Sequence, residues 1–162
     1  MTDERLGDLA VVLRRLPPGT GVVFRHHATP PRLRRRLLRD AERIARARRL
    51  TLVAAGGGAR DGIHGRGAHG GLRTWAAHTR REAIAGGAAG ADVLFVSPVF
   101  ATRSHPGARP LGPAKAAHIG QGLGATVIAL GGMDARRWRR VRRLGFDGWA
   151  AIDAWMLSAA RG

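Results

Sequence analysis

Cysteine is absent from this chain of 162 residues, which excludes disulfides and thiolate-bound zinc. No apolar run approaches the roughly twenty residues that a membrane-spanning helix needs. Lysine occurs once, at Lys115, although the formal net charge is +17, so almost all of the positive charge is arginine. The start, Met1-Thr2-Asp3-Glu4-Arg5, is too acidic and polar for a signal peptide, and the expectation is a cytoplasmic protein. No Gly-x-Gly-x-x-Gly follows a strand-like run, so a dinucleotide fold has no support. No His-Glu-x-x-His spacing occurs among His26, His27, His64, His69, His78 and His105, which argues against a zinc site.

The arginines that are present sit where helix surfaces are expected, in one segment from Arg32 to Arg49 and another from Arg136 to Arg143. Charge of that kind gives weak, salt-sensitive association with nucleic acid, and specific nucleic-acid binding is disfavoured. Between these segments, apolar strand-like runs alternate with amphipathic ones. Strands are expected near residues 21–26, 50–55, 61–64, 73–77, 91–97, 125–131 and 147–153. A helix-like pattern runs from Leu6 to Leu16. Pro30-Pro31 opens a helix carrying Leu33, Leu37, Leu38, Ala41, Ile44 and Ala45 at helical spacing, and Asp134 caps another that Gly145 ends. Strand–helix–strand units with short connections imply parallel pairing and an α/β class. A weak repeat places Asp61, Asp92 and Asp147 one step before a strand, and recurrent units of this kind favour a (β/α)8 barrel. Seven strands are one short of that barrel, so the missing first strand is expected upstream of Met1. Otherwise the barrel is open, with its edge covered by self-association or a mobile segment. The whole chain, residues 1–162, is expected to form a single shortened barrel domain.

Ligands of parallel barrels bind at the C-terminal ends of the strands. There the chain carries Arg25-His26-His27, His64, His78, Ser97 to Gly112, Gly131-Gly132 and Ile152-Asp153. The stretch Ser97–Gly112 holds Thr102, Arg103, Ser104 and His105 between Pro98, Pro106 and Pro110. Its donors and cations suit an anionic ligand, while a stiffened solvated connector is the plain alternative. Gly131-Gly132, between a strand and a helix start, would let a phosphate approach the backbone, or would simply form a tight turn. His78 ends a strand, where an acid/base group would face a pocket; a solvated or capping role is the alternative.

These pieces, in order, resemble the thiamine phosphate synthase/TenI family of (β/α)8 barrels. Thr2-Asp3 resembles the exit of the family's first strand. Val22 to His27 stands where the family has V-Q-L-R-E-K, and Asp61-Gly62-Ile63-His64 is similar to its D-G-V-H. Ala77-His78 resembles its serine-x-histidine turn, and Ser97 to His105 its G-P-V-F-x-T-x-T-K. Ala129 to Met133 is similar to A-I-G-G-I, and Gly148 to Ala154 to G-V-A-V-I-S-A.

The resemblance implies a transferase of thiamine biosynthesis that joins hydroxymethylpyrimidine diphosphate to thiazole phosphate. Arg25 and His27 would hold the diphosphate. Thr102, Ser104, His105, Gly131, Gly132 and Ile152 would bind the thiazole phosphate. The related tautomerase branch implies His78 as a catalytic acid/base, and a non-catalytic phosphate-binding barrel is a third reading. The synthase branch also implies Mg²⁺. Here, however, the strand ends where the family has its carboxylates read Ala54-Ala55-Gly56-Gly57 and Ala68-His69.

Overall fold

A computed structural model describes residues 1–68, 70–102, 107 and 109–152. All seven expected strands form: β1 (Gly21–Phe24), β2 (Thr51–Ala55), β3 (Gly62–His64), β4 (Leu72–Ala77), β5 (Val93–Val96), β6 (Thr126–Leu130) and β7 (Gly148–Ala150). The helices are α1 (Leu9–Arg15), α2 (Pro31–Arg48), α3 (Arg80–Ala88), α4 (Pro113–Gly120) and α5 (Ala135–Val141). The chain divides into two compact units that part between Leu72 and Arg73.

In the first unit β1, β2 and β3 run parallel, with Val22 beside Leu52 and Ala54 beside Ile63. Helix α1 begins at Asp8, whose carboxylate accepts the amides of Ala10 and Val11. The expected helix from Leu6 to Leu16 is shorter because Gly7, at φ +64°, separates a 3-10 turn at Glu4–Leu6 from α1. Helix α2 buries Leu38, Ala41, Ile44 and Ala45, as its spacing requires. Leu33 departs from that pattern and is 48 % exposed. Eighteen helical residues extend about 27 Å, whereas five strand residues span about 17 Å, so the first turns of α2 outrun the strands they cover. The extended residue Thr2 lies along β1, its amide donating to the Val23 carbonyl at 2.8 Å.

No helix joins β2 to β3, although parallel neighbours usually need a crossover of a dozen residues. Short strands remove that need. Residues 56–61 can reach about 20 Å when extended, enough to return to the start of β2. Asp61 fastens the return, its carboxylate accepting the Leu52 amide at 2.8 Å.

In the second unit β4, β5, β6 and β7 are parallel and paired in sequence order. Its core contains Leu94, Val96, Val99, Ala116, Ile119, Val127, Ala129 and Val141, with Trp75 and Trp138 packed against it. Asp134 caps α5 through the Arg137 amide at 2.7 Å. The aspartate repeat has one physical meaning in both units. Asp92 accepts the Arg73 amide at 2.7 Å and Asp147 the Val127 amide at 2.7 Å, as Asp61 does for Leu52. Each carboxylate accepts from the amide of the second residue of the preceding strand, at the end opposite to the strand exits.

Candidate functional site

The exits of β5 and β6 are built as one piece. After Val96 the chain turns through Ser97 and the cis-bonded Pro98 to Thr102. The Val99 amide donates to the Leu130 carbonyl at 2.9 Å, and Phe100 to that of Gly131 at 3.1 Å. Leu111 and Gly112 return to the carbonyls of Pro98 and Val99 at 2.9 and 3.2 Å. Gly131 and Gly132 have φ of +92° and +61°, and added β-carbons would meet Pro98 and the Ala101 carbonyl. These glycines therefore serve a close backbone approach as well as a turn. Thr102, the residue after Ala101, is half-buried, and Ile152 is buried. Ser104 and His105, the other expected phosphate ligands of this loop, lie outside the described residues, as do Arg103 and Asp153.

Arg137 is a part of this site that the sequence reading missed. Its guanidinium donates to the Gly132 carbonyl and stacks on the Phe100 ring, 4.9 Å from the centroid. A permanent positive charge thus stands at the glycine turn. The available signal was its place three residues after the capping Asp134.

His78 is exposed at the exit of β4, and its imidazole is oriented. Nδ1 lies 2.7 Å from the Ser97 carbonyl oxygen. A carbonyl can only accept, so Nδ1 carries the proton and Nε2 of the neutral ring keeps its lone pair. The Ser97 hydroxyl oxygen, 3.3 Å from Nδ1, is a second acceptor for the same proton. The His78 amide donates to Glu82 at 2.6 Å, while the Glu82 amide donates to Thr79, the cap of α3. This turn therefore presents a fixed base.

In the first unit the exits of β1 and β3 bring together Arg25, half-buried, His27, exposed, and His64. His26 points the other way, stacked on Phe24 at 4.4 Å with Nδ1 3.1 Å from the Thr2 hydroxyl. Arg34, which the sequence reading treated only as helix surface, caps the exit of β2 by donating to Ala55 at 2.5 Å. It also lies 5.2 Å from the Phe24 ring centroid. Burial, and then the charges of Arg25 and His27, push the His64 pKa down to about 4. That cluster suits an anion.

The His64 shift carries a pH prediction. The unfolded ring takes up a proton near pH 6.5, whereas the folded ring stays neutral down to about 4. Stability is therefore complete above pH 6.5 and falls between 6.5 and 4, by on the order of 2–3 kcal/mol. Burial lowers the pKa of His26 as well and acts in the same sense. Urea unfolding at pH 7 and pH 4.5 should show the loss in the native chain and a smaller one in His64→Gln. Equal losses in both chains would remove His64 as the cause.

Among the described residues no group of three or more His, Asp or Glu side chains is arranged to hold a metal ion. The exit of β2 offers Ala54 and Ala55, and the residues after β3 include no carboxylate before Leu72. The described residues do not fit a magnesium ion of the carboxylate-bound kind.

Parallel strands alternating with helices, with cationic and glycine-lined strand exits, define an α/β protein. A family model described as thiamine monophosphate synthase matches residues 68–155, more than half of the chain. The chain belongs to the thiamine monophosphate synthase family. It is 39 % identical over 74 residues to a thiamine-phosphate synthase of Desulfitobacterium hafniense, covering 45 % of this chain and 36 % of that protein. With the enzyme of Geobacillus thermodenitrificans it shares 39 % identity over 80 residues, 48 % of this chain and 36 % of the relative. The aligned segment thus spans little more than a third of these curated relatives. Among solved structures, a thiamine phosphate pyrophosphorylase from Pyrococcus furiosus has the same fold. Its TM-score is 0.74 at 18 % identity, over 97 % of this chain and 91 % of that one. One from Bacteroides thetaiotaomicron gives 0.55 at 19 % identity, over 88 % and 72 %.

Proposed function

We propose that the protein is a thiamine phosphate synthase-like transferase on a shortened (β/α)8 barrel, acting in the cytoplasm. It would join hydroxymethylpyrimidine diphosphate to thiazole phosphate: the bond from the pyrimidine methylene to the diphosphate oxygen breaks, and the thiazole nitrogen forms the new carbon–nitrogen bond. The leaving group is pyrophosphate. The observation that carries the reading is the exit of β5 and β6, where the loop from Ser97 to Thr102 packs on Gly131-Gly132 under the Arg137 guanidinium. In this proposal Thr102, Ser104, His105, Gly131, Gly132 and Ile152 receive the thiazole phosphate. Arg25 and His27 hold the diphosphate, Arg25 through a guanidinium that stays charged at all working pH values.

Because the described residues do not fit a carboxylate-bound magnesium ion, no step is assigned to one. The deciding experiment is to mix the protein with both substrates, with and without Mg²⁺, and measure thiamine phosphate and released pyrophosphate. Formation of both products is expected. If none forms while thiazole phosphate still raises the melting temperature, coupling is lost as the activity.

The fixed Nδ1–H tautomer of His78 favours a second reading, a thiazole tautomerase using Nε2 as the base. Replacing His78 by Asn should then lower turnover by 10²-fold or more, a typical loss for a general base. Retained turnover would remove His78 from that role.

A further inference from the structure

An arginine-lined cleft lies in the first unit at the start of β2, away from the strand exits. It has a volume of about 570 Å³, within the range of small-molecule sites, and Arg39, Arg43, Arg46, Arg49 and Arg60 line it. The first three follow one face of α2 at i, i+4 and i+7, so like charges are stacked along a helix at some cost in stability. Arg60 arrives from the β2–β3 connection, its backbone amide held by Glu42 at 2.9 Å. Both carboxylates of the cleft are engaged by backbone, Glu42 by Arg60 and Asp61 by Leu52. Five guanidiniums therefore line the cleft with two carboxylates, leaving an excess of positive charge. Of these five arginines only Arg43 has an ion-pair partner among the described residues, the exposed Asp40 at 3.3 Å.

Basic residues in a last turn complement the helix dipole, which accounts for Arg46. That does not account for Arg39 and Arg43, farther up the helix, or for Arg60 on a separate segment. Arg49 gives an independent sign. It closes α2 in the left-handed region, φ +56° and ψ +42°, and among the described residues no other non-glycine has positive φ. Glycine is the residue that suits this position. The chain instead holds an arginine there in strained backbone, with its side chain on the cleft, and such strain is commonly retained at ligand sites.

We propose that this cleft binds a small ligand carrying two or more linked phosphates. Guanidinium forks bind phosphate oxygens in pairs, and their planes and alkyl stems accept a flat ring, so a nucleoside polyphosphate and a free polyphosphate share the chemistry. The site is separate from the strand exits and does not depend on the activity proposed above.

Calorimetric titration with ATP and with sodium tripolyphosphate, without Mg²⁺ at 0.15 M salt, tests it. One equivalent should bind for at least one probe; tighter ATP binding assigns a nucleoside, and equal binding assigns the phosphate chain alone. The double variant R46E/R60E should lower the affinity at least tenfold, while R25Q at the β1 exit leaves it unchanged. The variant R49G should melt at a higher temperature than the native chain without ligand, yet bind more weakly. A purely structural arginine would not divide the two readouts. Unchanged affinity in R46E/R60E, loss of binding in R25Q, or no saturable binding of either probe at this salt would overturn the proposal. So would tighter binding of a single-stranded RNA that spreads over several sites.

Discussion

Alanine in place of Gly62 is expected to destabilise the protein by about 4 kcal/mol or more, among the largest effects a single methyl group can have. Gly62 opens β3 with φ +151°, and its missing β-carbon would lie on the Leu72 carbonyl and 2.7 Å from the Leu72 nitrogen. Those are backbone atoms, so no rotamer change relieves the overlap. The two segments are also tied, the Leu72 amide donating to the Asp61 carbonyl at 2.8 Å. Separating them would pull Asp61 from the Leu52 amide and loosen the crossover that replaces a helix. At roughly 2–4 °C per kcal/mol for a chain of this size, the melting temperature should fall by about 10 °C or more. A fall of less than about 3 °C would show that the close approach is dispensable.

Gly132→Ala should cost about 3 kcal/mol and, under the function proposed above, lower the affinity for thiazole phosphate at least tenfold. The new methyl group would press on the Ala101 carbonyl and lie 3.0 Å from the Phe100 β-carbon. The loop from Ser97 to Thr102 would have to lift from β6, breaking the bond from Phe100 to Gly131 and displacing Phe100 from the Arg137 guanidinium. Calorimetry with the thiazole phosphate, at a temperature where both proteins are folded, separates the effects. Native affinity in a destabilised Gly132→Ala would leave these glycines a packing role alone.

Most strands were legible as short, largely apolar runs bounded by glycine, proline or polar residues, and that signal is local. The starts of α2 and α5 were legible for the same reason, Pro30-Pro31 opening the one and Asp134 capping the other three residues ahead of Arg137. The extent of α2's buried face was less so, because Leu33 follows the periodicity but stands beyond the strands. In the candidate site, the Ser97–Thr102 loop and Gly131-Gly132 could be read as strand exits. Their mutual packing could not, because no sequence spacing states that Phe100 reaches the Gly131 carbonyl. Arg137 and Arg34 were hidden among many arginines of identical local character.

The sequence by itself determined the order of strands and helices and the recurring aspartate before a strand, because periodicity and capping act over a few neighbouring residues. Tertiary structure alone decided that each such aspartate holds the amide of the second residue of the strand before it. It decided which proton His78 keeps, through the Ser97 carbonyl, and it gathered Arg60 with the arginines of α2. Those outcomes depend on contacts between residues distant in the chain, where charge, burial and hydrogen bonding are set by what the fold brings near.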